Sequence, residues 1–366
     1  MTRLMASMLA FVLAVALSVS ARADVMIAMA GPLTGPDAAF GEQYKIGAEL
    51  AVRDINASGG LLGQQLELKF YDDACDPGQA VSVANKLVSE GAAMVVGHYC
   101  SHASIPASKV YEEDGIIQIS PSTSNPKFTD EGGPNVFRVS GRDDQQGGVA
   151  GAYLAKNFAD KNIAIIHDRS TFGKGLADET KKAMNQAGKQ ETLQDSYFKG
   201  DKDFSALVTK LKRNKIDVVY VGGYHEEAGL LVRQMRENGL DAILVGGDTL
   251  MTEHFAAITG DAGDGTLMTF PPDPRKNPAA VETVKRLRAK GVEPEGYVLY
   301  SYAAVQVWKQ AVEKAGSLDS AKVIAALQSG EFDTVIGKFE FDKKGDPDLR
   351  PYAFYRWQDG SYAQIN

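Results

Sequence analysis

Short, continuously apolar runs alternate with stretches of helical period from Asp24 onward. This alternation confines the chain to β-α-β units stacked on parallel sheets. Val25 to Ala30 reads as a strand ending in the loop Gly31-Pro32-Leu33-Thr34-Gly35-Pro36. After Gly41 the pattern turns helical: Tyr44, Gly47, Ala48, Ala51, Val52 and Ile55 fall on one face. Gly59-Gly60 stops that helix. Leu66 to Tyr71 is the next strand and Gly78 to Glu90 the next helix. Met94 to Gly97 and Ile116 to Ser120 have the apolar character of strands buried on both faces.

The order then restarts. Gln146 to Phe158, Gly175 to Ala187 and Glu226 to Glu237 read as helices, and Phe204, Leu207, Val208 and Leu211 mark another helical face. Ile163 to His167, Asp217 to Val221 and Ile243 to Val245 read as strands. Ala93-Met-Val-Val-Gly-His-Tyr99 rhymes with Val218-Val-Tyr-Val-Gly-Gly-Tyr224, each followed by a helix and another strand. The expected architecture is two similar α/β lobes.

The first residues read as an export signal. Arg3 precedes an apolar stretch from Leu4 to Val19, and Ala21-Arg22-Ala23 fits a small-x-small cleavage site. Cleavage after Ala23 leaves 343 residues, more than one core usually serves, with 37 basic against 47 acidic groups. That acidic balance argues against nucleic acid or anionic lipid as a partner. The two cysteines, Cys75 and Cys100, most simply form one disulfide in an exported chain. The bridge closes a loop of 24 intervening residues beside Ser101.

In an open parallel sheet, ligands lie beyond the carboxyl ends of the strands. In the first half those ends deliver Ser101 and, one unit later, Ser122, Thr123 and Ser124; in the second they deliver Tyr224 and Asp248. A helix start near His102 with the Ser101 hydroxyl suits an α-carboxylate, although Ser101 taken alone reads first as a helix cap, a place where anions also bind. Asp248 suits an α-ammonium or a turn. Tyr224 offers an acceptor oxygen or a structural ring. Phe40, Tyr99, Phe172 and Tyr297 sit in glycine-rich or strand-end contexts; each reads singly as core, and together they shape a small apolar compartment.

Rival chemistries are poorly served. Cys100 lies near His98 and His102, but an oxidised sulfur is neither nucleophile nor metal ligand. No G-x-S-x-G elbow, HExxH, G-x-G-x-x-G or Walker A run is present, so neither cofactor nor metal is expected.

The chain resembles the periplasmic branched-chain (aliphatic) amino-acid-binding proteins of ABC transporters, with the type I periplasmic binding fold. The likeness is carried by Asp54-Ile-Asn-Ala-Ser-Gly-Gly-Leu61, Tyr71-Asp-Asp-Ala-Cys-Asp-Pro77, Val83-Ala-Asn-Lys86, Gly97-His-Tyr-Cys-Ser101, Gly115-Ile-Ile-Gln-Ile-Ser-Pro121, His167-Asp168, Gly200-Asp-Lys-Asp-Phe-Ser205, Gly222-Gly-Tyr-His225 and Tyr302-Ala-Ala304. The resemblance implies two Rossmann-like lobes with parallel sheets, joined by a three-stranded hinge. The crossovers are expected near Gly141-Arg142, Phe270-Pro271 and Leu349-Pro351. Lobe 1 then holds residues 24–142 and 272–350, and lobe 2 holds 143–271 and 351–366, after a signal peptide at 1–23.

It also implies that Ser101, Ser122 and Ser124 meet the carboxylate or ammonium of a free amino acid, and that Tyr224 and Asp248 meet the ammonium. Cys75 and Cys100 would form the family disulfide, and Phe40, Tyr99, Phe172 and Tyr297 would surround the ligand. Asp248 stands where close relatives carry glutamate, Ser124 where threonine is usual, and Tyr99 where leucine-preferring relatives carry leucine, which shrinks the pocket. The implied function is capture of an aliphatic amino acid of the leucine, isoleucine and valine class, extending to alanine, proline or γ-aminobutyrate. Lobe closure and delivery to a membrane permease follow, by a periplasmic monomer without enzymatic activity. The alternative is a soluble sensor presenting an amino acid or amide to a signalling receptor.

Overall fold

The computed structural model describes residues 24–349 and 352–365. The export-signal reading lies outside those residues, and the crossover expected near Leu349-Pro351 lies partly outside them.

Strands β1 (Val25–Gly31), β2 (Leu66–Asp72), β3 (Met94–Gly97), β4 (Ile117–Ser120) and β5 (Val136–Arg138) form one sheet in the order β2-β1-β3-β4-β5. Every neighbouring pair is parallel. Helices α1 (Ala38–Ala57), α2 (Pro77–Glu90), α3 (Ser101–Asp114) and the single turn α4 (Lys127–Asp130) connect them. Local chemistry sets the ends of α2: Asp76 caps it by accepting from the Gln79 amide, Pro77 supplies the first helical φ, and left-handed Gly91 ends it. The six residues read as one face of α1 are all buried. The helix begins at Ala38, upstream of the expected start at Gly41.

The second sheet runs β14-β13-β10-β9-β8-β6-β7. Its parallel part comprises β6 (Ile163–His167), β7 (Leu193–Ser196), β8 (Val218–Gly222), β9 (Ile243–Gly246) and β10 (Leu267–Phe270). Helices α5 (Asp143–Asn157), α6 (Thr171–Gln186), α7 (Ser205–Arg213), α8 (His225–Glu237) and α9 (Glu253–Thr259) accompany it. The last two strands of this sheet depart from the parallel expectation. Strand β13 (Ala353–Gln358) pairs antiparallel with β10, and β14 (Ser361–Ile365) pairs antiparallel with β13. The β13–β14 reversal is local: Asp359 and Gly360 both take positive φ, 50° and 69°, the two-residue turn that folds a strand straight back on itself.

Between β10 and β13 lie α10 (Val281–Arg288), α11 (Val298–Ala315), α12 (Ser320–Gln328) and the hairpin β11 (Glu331–Thr334) to β12 (Gly337–Glu340). Helix α11 packs on α1 and on strands of the first sheet. The approach to α1 is close: a Cβ at Gly47 would stand 2.2 Å from the Val298 carbonyl oxygen. The chain therefore passes between the two sheets three times, after β5, after β10 and before β13.

In each sheet one pair of neighbouring strands, β1 with β3 and β6 with β8, sends its connections to opposite sides. Such reversal points leave a crevice at the carboxyl ends. The Cys75–Cys100 disulfide ties the end of β2 to the end of β3 at that edge. A bridge across 25 positions of sequence contributes about 3 kcal/mol in the chain-entropy account. Replacing both cysteines by serine should lower unfolding free energy by that order in urea titrations, and reductant should have no further effect on the variant.

Candidate ligand-binding site

The carboxyl ends of both sheets converge on one small cavity of about 10 Å³. It is lined by Tyr99, Ser101, Ser122, Ser124, Phe172, Tyr224, Asp248, Thr249 and Tyr297. Eight of the nine residues named from the sequence stand on this wall. The ninth, Phe40, does not line it; its ring stacks on Tyr99 with centroids 4.5 Å apart. Thr249 was missed, although it follows Asp248 at the same strand end; its hydroxyl donates to the Gly223 carbonyl at 2.6 Å.

Ser101 is the first residue of α3, and Cys100 occupies the cap position with no side-chain capping bond. The reading of Ser101 as a helix cap therefore fails. Its hydroxyl is left facing the cavity beside the first amide groups of the helix, which have no partner of their own within it.

The loop between β4 and α4 carries Ser122 and Ser124 without regular structure, so side chains must hold it. Ser120 accepts from the Thr123 amide at 2.9 Å, and the Thr123 hydroxyl donates to the His98 carbonyl at 2.9 Å. Thr123 thus faces inward while its two serine neighbours reach the cavity. Arg138, wholly buried at the end of β5, donates to the Thr123 carbonyl at 2.6 Å and the Asn125 carbonyl at 3.1 Å. Asp346 pairs with the same guanidinium at 2.7 Å, so the buried cation is compensated.

Opposite stands Asp248, 3 % exposed, in the 3-10 turn after β9. One oxygen accepts from Gln146 Nε2 at 3.1 Å and the other from the Tyr297 hydroxyl. Burial pushes the Asp248 carboxyl up, while the two donors pull it back down. Neither donor is charged, so the carboxylate meets no cation from the protein in these bonds.

Aromatic rings close the remaining walls. Tyr99 stands 6.1 Å from Tyr297 and 6.2 Å from Tyr224 between centroids, and Phe172 lies 5.3 Å from Tyr224. The Tyr99 hydroxyl is buried and has no hydrogen-bond partner among the described residues. At the rim, the Lys199 ammonium meets Asp37 at 2.6 Å and lies 3.6 Å over the Tyr224 ring. This pair bridges the connection after β1 and the connection after β7. His98 bonds Asp73 at 2.6 Å and Tyr111 at 2.9 Å, while His102 bonds the Cys75 carbonyl at 2.7 Å. With Cys100 oxidised, these groups form no nucleophilic or metal-binding set.

The model of the periplasmic binding protein family matches residues 24–361. The chain belongs to that family. It is 49% identical over 348 residues to a Leu/Ile/Val-binding protein homolog of Brucella suis, covering 95% of this chain and 94% of the relative. It is 50% identical over 353 residues to an amino acid binding protein of Pseudomonas aeruginosa, with 95% and 94% covered. Among solved structures, a leucine-binding protein from Thermotoga maritima superposes with a TM-score of 0.88 at 26% identity, over 93% of this chain and 98% of the other. A branched-chain amino acid transporter substrate-binding protein from Streptococcus pneumoniae, solved with isoleucine, gives 0.85 at 27%, over 93% and 99%. The family resemblance read from the sequence is thus confirmed, as is the type I periplasmic binding fold. This chain is a binding protein of the transporter class and not an enzyme.

Asp143, buried at the first turn of α5, has its carboxyl pushed up to about 8 by burial. A carboxyl raised in the folded state contributes stability that is complete below its ordinary value near 4 and lost as pH rises through about 8. Melting temperature should therefore fall between about pH 4 and 8 and level off above that. Asp143→Asn should recover about 2–4 °C of that loss at pH 9, measured by scanning fluorimetry. Glu295, raised to about 7 by burial, accounts for part of the remaining fall.

Proposed function

We propose that this protein captures a free aliphatic α-amino acid in the periplasm and delivers it to the permease of an ABC transporter. One observation carries the reading: a buried carboxylate from one sheet and serine hydroxyls with a helix start from the other converge on a single cavity. Those are the two ends of a zwitterion. Ser101, Ser122 and Ser124 take the carboxylate, with the α3 amides beside them. Asp248 takes the ammonium in a charge-assisted bond, and Tyr224 adds an acceptor oxygen. Phe40, Tyr99, Phe172 and Tyr297 bound the side chain, Phe40 from behind Tyr99.

The ligand is small. Tyrosine at position 99 fills space at the apolar end of the cavity. Leucine, isoleucine and valine are the ligand class suggested by the relatives, and alanine, proline and γ-aminobutyrate suit the reduced volume. The unpartnered Tyr99 hydroxyl favours a compact ligand that brings a polar group within its reach.

Binding closes two lobes, residues 24–142 with 272–350 and residues 143–271 with 351–366, about the three crossings. The Asp37–Lys199 pair joins them at the rim. The chain is exported by removal of residues 1–23 and acts as a monomer.

A thermal-shift screen of the mature chain against these amino acids should show concentration-dependent rises in melting temperature. In calorimetry, Asp248→Asn should weaken the best of them by about 2–4 kcal/mol. Equal binding of an N-acetylated amino acid, or an unchanged affinity in Asp248→Asn, would remove the basis of the assignment.

A further inference from the structure

Gln146 lies one turn into α5 and is fully buried, yet it does not line the cavity. Its Nε2 stands 3.1 Å from Asp248 Oδ1, 2.9 Å from Thr269 Oγ1 and 3.2 Å from the Thr269 carbonyl. Its Oε1 is buried with no hydrogen-bond partner among the described residues. The side chain therefore spends its donor group on the carboxylate and leaves its acceptor unused, an arrangement fixed by charge: an amide turned the other way would set oxygen against oxygen. Glycine at position 247 makes the approach possible, since a Cβ there would stand 3.2 Å from Gln146 Nε2 and 2.7 Å from Leu176 Cδ2.

The geometry points to Gln146 as the positioning residue of this site, the donor that fixes and aims the Asp248 carboxylate at the amino group of the bound amino acid. The inference rests on the reading of Asp248 as the ammonium partner. A neutral donor suits the task, because it orients the carboxylate and leaves its charge for the ligand. The placement adds a second property. Helix α5 follows the first crossing between the sheets, and Thr269 lies in β10, one residue before its end at Phe270 and the second crossing. The carboxylate is thus referenced to both crossings through one amide.

The test is calorimetric titration of the full mature chain with L-alanine and L-leucine, and with propanoate and 4-methylpentanoate, which lack the amine. Gln146→Met should weaken the better amino acid about ten- to a hundredfold, the scale of a lost hydrogen bond to a charged group. The amine-free acids should bind the variant and the wild type within about twofold of each other, which a general loss of scaffold would not produce. Thr269→Val keeps Gln146 but removes one of its anchors, and should show a smaller loss of the same amine-selective kind if the methionine variant does not fold. Equal weakening of amine-bearing and amine-free ligands, or no weakening in either variant, overturns the positioning role. Asp248→Asn separates the two claims: if it loses affinity while Gln146→Met does not, only the role of Gln146 fails. If Asp248→Asn binds as the wild type does, or the wild type binds neither amino acid, the ammonium assignment falls and the role of Gln146 with it.

Discussion

A carboxylate removed from water has to be bonded, paired or neutralised, and Asp248 sits where the two sheets meet with only neutral donors against it. Much of the surrounding architecture follows from that one group. Gln146 comes from the first helix after a crossing, Tyr297 from the start of the helix that returns to the first sheet, and Asp248 itself from the end of β9. Elements from three separate parts of the chain must be in register before the carboxylate is satisfied. A cation entering between them completes what the protein leaves undone.

The opposite wall is built differently. No strand or helix fixes residues 121–126, so its geometry depends on Arg138, whose guanidinium gathers carbonyls of that loop while Asp346 balances its charge. Arg142 joins the same group by pairing with Asp346 at 2.7 Å and Asp130 at 3.0 Å. The hydroxyls of Ser122 and Ser124 are therefore held from behind by a compensated charge cluster at the first crossing. Buried ion pairs add little net stability, but breaking one partner is costly, which gives such a cluster definition more than strength.

Much of this was legible in the sequence because strands buried on both faces must be apolar, and Met94–Gly97 and Ile163–Ile166 are. The strand-end rule then placed Ser101, Ser122, Ser124, Tyr224 and Asp248 on one wall without any ligand, while Thr123, named with them, turns inward. The misses have physical causes. Strand β7, Leu193–Ser196, is half-buried and polar, so it gives no apolar run. The β13–β14 hairpin carried a readable Asp-Gly turn signal at 359–360 that went unused. Gln146 was read only as the start of a helix that begins three residues earlier, at Asp143. Phe40 has the composition of a pocket residue but lies one ring away, and spacing cannot tell a wall from its backing.

The strand order of the second sheet also governs how the molecule can be assembled. Strand β13 lies between β14 and β10, although some 80 residues separate it from β10 along the chain. A nascent chain emerging N-terminus first presents β10 as an open, apolar edge until its final segment arrives. That interval is when strangers can pair with it, and when a chaperone has most to protect.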